Sequence, residues 1–285
     1  MATRRGRADK KKQLISYYPL CILIVMSLCF GQGTYGKSLL KNAIPIITYE
    51  YPPYTSRLLE SGGMRTEIIK AAYSNVGHEA EVILYPTKRA QQLFLESPSL
   101  GYMGIMSHFS QREQEDFLFV RLMPIRLAIF YYSPTYPNGI TFEKAEDLQA
   151  YSVGTMLGSV TAKKLRKAQV EVQEQTNLDG LIKKLRAKRI DFAAMTDLFG
   201  VQTSIRLFPD EHENFKQLPN ALMEAWIGLM FHKSDPKAPK RAEYFALGMQ
   251  HIMASGAYLT IIKSYYQNGK VPDNIINFIE EKKRK

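Results

Sequence analysis

Two periods of apolar and polar positions alternate along the chain. Residues 43–47 form a short apolar run that predicts a strand. The paired prolines Pro52 and Pro53 end it, because proline lacks a backbone donor and fixes φ. Tyr49, Tyr51 and Tyr54 stand around that rigid turn, either as caps on the core or as a lip for a ligand. Beyond Gly62-Gly63 the period changes. Met64, Ile68, Ala71, Ala72 and Val76 recur at spacings of three and four, predicting an amphipathic helix stopped by Gly77. Strands at 81–85, 102–106 and 117–120 follow, with a short helix after Thr87 that turns Leu93 and Phe94 inward. The apolar run 127–132 then ends at Pro134 and Pro137-Asn138-Gly139, a boundary.

The pattern restarts beyond it. Helices are expected at 142–149 and 161–168, and strands at 151–154 and 170–174. Asn177 can cap a helix striped by Leu178, Leu181, Ile182 and Leu185, and residues 190–195 read as a strand covered on both faces. A strand-like run at 226–231 leads to a long helix carrying Ala242, Phe245, Met249 and Ile252 as far as Gly256, and a last helix at 258–266 closes the domain. The class is α/β, in two successive units.

Charge and cysteine placement set the compartment. Six Lys/Arg between Arg4 and Lys12 precede an apolar run at 20–30 and small or polar residues up to Gly36, the order of a secretory signal peptide cut near Gly36. Cys21 and Cys29, the two cysteines of the chain, lie inside it, so the exported product has no disulfide, thiolate ligand or cysteine nucleophile. The segment also holds much of the formal charge of +11, leaving +6 on the remainder. That excess gathers at Lys163, Lys164, Arg166 and Lys167 and again from Lys183 to Arg189. Without interleaved aromatics these read as solvated helix faces, not nucleic-acid sites, and residues 282–285 as a solvated end. His78, His108, His212, His232 and His251 are scattered without metal-ligand spacing, and no serine or cysteine sits in a nucleophile elbow. No cofactor, metal or catalytic residue is expected.

The order of elements and the segments "ITYEYPPYTS", "GGMRTEIIKAAYSNVG", "GIMSHFSQREQEDFLF", "YSVGTMLGSVTAKKL", "DFAAMTDLFG" and "MASGAYLTIIKSYY" resemble the bacterial extracellular solute-binding proteins of family 3, periplasmic receptors of polar amino-acid uptake. The resemblance covers essentially the whole chain after residue 36. It implies a type II periplasmic-binding-protein fold, two α/β lobes joined by two crossover strands. Lobe one would comprise 37–132 and 227–285, and lobe two 133–226. It also implies a monomer that takes a small ligand between the lobes, an amino acid or related carboxylate, for an inner-membrane ABC permease or a sensor protein. A dehydratase-like enzyme is a third use of the same fold.

Carried over residue by residue, the resemblance puts Tyr51 or Tyr54 over the ligand, Ser107 at a hydroxyl position, and Arg112 on the ligand carboxylate. A guanidinium fork suits two carboxylate oxygens. Gly158, Ser159 and Thr161 would offer amides at a helix N-terminus, or cap that helix. Asp197 would receive an α-amino group, cap the next helix, or do both. Phe109 stands where a second hydroxyl is common, which points to a less polar ligand, and Leu100 replaces a frequent acid.

Overall fold

The computed structural model describes residues 43–266 and 271–283; the expected export signal and its cleavage site lie outside them. Eight strands form one curled sheet: β1 (Ile44–Tyr49), β2 (Ala80–Tyr85), β3 (Gly101–Ile105), β4 (Phe117–Tyr132), β5 (Ser152–Met156), β6 (Glu171–Gln175), β7 (Phe192–Thr196) and β8 (Phe215–His232). Their order is β2-β1-β3-β8-β4-β7-β5-β6. The first three strands are parallel about β1, and β5, β6 and β7 are parallel about β5. Between the two sets, β4 and β8 run antiparallel to each other for their whole length. One end of β8 pairs with β3 and one end of β4 pairs with β7, so these two strands cross from one half to the other. The chain therefore adopts the two-lobed α/β organisation with two crossover strands that the resemblance implies.

Helices cover both halves: α1 (Met64–Ser74), α2 (Thr87–Glu96), α3 (Gln111–Gln114), α4 (Val160–Lys167), α5 (Asp179–Arg186), α6 (Asp197–Leu207), α7 (Ala238–Ala254), α8 (Ala257–Tyr265) and α9 (Asp273–Lys283). Apolar side chains gather in three clusters. The largest joins α1, α7, α8 and α9 to the crossovers, with Ile68, Leu122, Phe245, Ile252 and Tyr258 fully buried. A second, around Phe192, Leu148 and Val153, lies under the β5 set. The third packs Phe94, Tyr102, Phe109 and Phe117 beside β3.

Several elements depart from expectation; β8 begins at Phe215, well before the expected run at 226–231. The runs 117–120 and 127–132 are one strand, β4, because register shifts flanking Arg121, Met123 and Ala128 let it pass Pro124 without losing its pairing to β8. The helix expected at 142–149 shrinks to a 3-10 turn, Ala145–Leu148. There the Asp147 carboxylate accepts the amides of Glu143 and Lys144 at 2.9 and 3.0 Å and so competes with a helical start. Helix α9 was not expected at all; Ile275, Phe278 and Ile279 bury its inner face, and Phe278 meets the Trp226 ring edge-on at 4.9 Å.

Candidate ligand-binding site

The turn after β1 is closed by reciprocal backbone bonds between Tyr51 and Thr55 of 2.8 and 3.0 Å, spanning the cis Pro52–Pro53 peptide. This geometry stacks the Tyr51 ring on that of Tyr54, with centroids 5.9 Å apart. Tyr54 is only 2% exposed, and the Arg65 guanidinium lies over its ring, 3.9 Å from the centroid. The pile is fixed from below, since the Arg65 amide donates to the Tyr54 carbonyl at 2.8 Å. It reaches across to the other half: Thr196 Oγ1 donates to the Tyr51 hydroxyl at 3.3 Å, the Tyr54 hydroxyl donates to Asp197 Oδ1 at 3.4 Å, and Tyr51 packs on Phe199.

The facing wall is the loop from β5 into α4. Gly158 turns it with φ +69°, and Ser159 caps α4 by accepting the Ala162 amide at 3.1 Å. The Gly158 amide donates to Glu174 Oε1 at 2.8 Å. The first-turn amides of Val160 and Thr161 have no intrahelical acceptor. Between this loop and the tyrosine pile lies a cavity of about 110 Å³, walled by both halves of the molecule. A Cβ at Gly158 would meet nothing closer than Lys88 at 3.8 Å, so only the left-handed backbone opposes a side chain there. Gly158→Ala should lower the unfolding free energy by about 1 kcal/mol in urea titrations.

The expected residues divide. Tyr51, Gly158, Ser159 and Thr161 line this cavity; Tyr54 stands behind Tyr51. Ser107 and Arg112 are exposed and outside the lining. Arg112 lies on α3, whose start is fixed by the reciprocal Ser110–Glu113 capping box. Asp197 accepts the Leu198 amide at 2.7 Å, and its carboxyl is pushed up by burial. It lines a different cavity, of about 650 Å³, with Arg126, Glu224 and Tyr266. Phe109 is 6% exposed inside the aromatic cluster with Phe94 and Phe117, so it speaks for the core and not for the ligand.

The lining also includes Arg65, Gln91 and His108, to which the sequence assigned no binding role. The signal for Arg65 was present, because Ile68, Ile69 and Ala72 follow it at spacings of three, four and seven. A charge on the buried stripe of α1 is therefore anomalous. The His108 ring pairs through Nδ1 with the Tyr102 hydroxyl at 2.8 Å. Burial, and to a lesser degree Lys163, lowers its pKa to about 4. The unfolded chain therefore binds a proton at this site that the folded chain refuses. The stability this gives is complete above pH 6.5 and is lost as pH falls toward about 4. His108→Gln should reduce that acid loss by about 2 kcal/mol, discounting the full shift for the partly exposed ring. Urea titrations at a series of pH values measure it. Among the described residues no group of three His, Cys, Asp or Glu side chains is placed to hold a metal ion.

No protein-family model matches the chain, and no curated protein matches it in sequence. Solved structures do match its fold. The ligand-binding core of GluR0 from Nostoc punctiforme, in complex with L-glutamate, superposes with a TM-score of 0.61 at 15% identity, over 78% of this chain and 99% of that one. A histidine kinase sensor domain with similarity to periplasmic binding proteins gives 0.62 at 17%, over 79% and 96%. The substrate-binding protein of an amino acid ABC transporter gives 0.57 at 13%, over 79% and 99%. The chain has the two-lobed periplasmic-binding-protein fold shared by these ligand-binding proteins.

Proposed function

We propose that the chain is an exported solute-binding protein that closes its two lobes on a small solute, an amino acid or related carboxylate, and presents it to an inner-membrane ABC permease. One observation carries this reading: the cavity beside the tyrosine turn draws its wall from α1 and that turn on one side and from the β5–α4 loop and β7 on the other. Such a wall is complete only when the halves meet, which couples occupancy to closure. The lobes would divide within β4 and β8, whose register shifts supply bending points.

A second reading keeps the binding event and changes the listener. Similarity to a histidine kinase sensor domain supports a receptor that reports its ligand to a signalling protein. Pull-down of the ligand-loaded protein with membrane components separates the two, since a permease and a sensor kinase are different partners.

A thermal-shift screen of the protein lacking its first 36 residues, against amino acids, carboxylates, polyamines and short sugars, tests the capture itself. A hundredfold excess over Kd should add about 2.7 kcal/mol of stability and raise Tm by roughly 5 to 10 °C. Small-angle scattering with the same hit should show compaction, and an unchanged radius of gyration argues against lobe closure. N-terminal sequencing of the exported product tests the expected start after Gly36.

A further inference from the structure

Arg65 is 2% exposed, its Nε has no hydrogen-bond partner, and among the described residues its guanidinium has no ion pair. The face of Tyr54 packs against it, and the Asp197 carboxylate lies within electrostatic range without forming an ion pair with it. An arginine stays charged at any pH the fold survives. A buried cation with no ion pair is costly, and such a group is normally paired. Arg65 nonetheless lines the interlobe cavity, so the missing partner has a place to bind.

The rest of the lining narrows what that partner is. No Asp or Glu contributes to it, and Asp197 lies in the separate cavity with its carboxylate engaged by the Leu198 amide and the Tyr54 hydroxyl. His108, which also lines the cavity, is neutral above about pH 4. The first turn of α4 adds the Val160 and Thr161 amides, which have no intrahelical acceptor and also favour negative charge. Ile105, Ile125, Leu127, Leu178 and Ile227 add apolar surface to the lining.

We propose that Arg65, not Arg112, anchors the ligand's anionic group, and that the ligand is a small monocarboxylate with an apolar body and no ammonium group. This rests on the interlobe cavity being the solute site. An α-ammonium placed there would give up water without gaining a carboxylate partner, and it would sit in the field of Arg65.

The test pairs each amino acid with its deaminated acid: L-phenylalanine with hydrocinnamate, L-leucine with isocaproate, and L-glutamate with glutarate. Calorimetric titration is run on the wild type, Arg65→Met, Arg65→Lys and Arg112→Ala. Hydrocinnamate or isocaproate should bind the wild type at least tenfold more tightly than its amino acid. Arg65→Met should weaken that acid by about a hundredfold or more while leaving the unliganded Tm unchanged or higher, because it removes a buried unpaired charge. Arg65→Lys, which keeps the charge and loses the fork, should fall between, and Arg112→Ala should match the wild type. The lysine variant and the wild-type pairs decide the matter even if the methionine variant fails to fold.

Amino acids binding more tightly than their deaminated partners, or an affinity lost in Arg112→Ala and kept in the Arg65 variants, overturns this inference and leaves the solute-binding reading standing. No binding by any of the six probes, nor by the polyamines and sugars of the screen, overturns both.

Discussion

Phe94→Ala is expected to lower the unfolding free energy by about 4 kcal/mol, the cost of deleting a ring whose site cannot collapse. Phe94 is fully buried on α2, with ring centroids of Phe117 at 4.9 Å, Tyr102 at 5.4 Å and Phe109 at 5.5 Å. The His232 ring lies at 4.3 Å, and its Nε2 is 2.7 Å from the Phe94 carbonyl, holding the backbone while the side chain is removed. With aromatic neighbours anchored on β3, β4 and β8, little can move inward to fill the void. Thr87 and Gln91 of the same helix line the interlobe cavity, so the variant should also bind more weakly at temperatures where it is fully folded. Urea unfolding measures the first effect. A loss below about 1 kcal/mol would mean that this aromatic cluster is not packed as described.

The second large effect belongs to Gly248→Ala, expected to cost about 3 kcal/mol. A Cβ there would sit 1.9 Å from the Ala72 carbonyl oxygen and 2.5 Å from its carbon, so α7 would have to back away from α1 along a buried face. Backbone cannot rotate aside as a flexible side chain can. Leu247, next along α7 but 42% exposed, is the control; its alanine variant should stay within about 0.5 kcal/mol. The consequence reaches the site, because α1 carries Arg65, and a displaced α1 lifts the guanidinium from the Tyr54 ring.

The alternation of periods made most elements legible. Helix α1 between Gly63 and Gly77, the fully buried β7, and the α5 stripe of Leu181, Ile182 and Leu185 all follow from residue spacing. What sequence hid was longer in range. The crossover β4 looks broken at Arg121 and Pro124 because its continuity is held by β8, a partner about a hundred residues away, through shifts no local pattern encodes. Helix α9 ends in a charged tail that masks Ile275, Phe278 and Ile279. Their burial depends on packing against Trp226 and the other C-terminal helices.

The site divides in the same way. The family resemblance pointed to Tyr51, Gly158, Ser159 and Thr161, which line the cavity. Arg112 attracted attention as an arginine after a hydroxyl-rich loop, yet the Ser110–Glu113 capping box leaves it on an exposed single turn. Arg65 was passed over because an arginine in an amphipathic helix ordinarily faces water. Only its position on the apolar stripe, one turn before Ile68 and Ile69, marks it as buried.

The proposed solute site is the cavity between the tyrosine turn and the β5–α4 loop. The most direct measurement is a crystal structure of the protein grown with the probe that raises its Tm most. Electron density is expected within the space bounded by Tyr51, Arg65 and Ser159, with an anionic group on the Arg65 guanidinium. Density instead in the larger cavity beside Arg126, Asp197 and Tyr266, with the interlobe cavity empty, would contradict it.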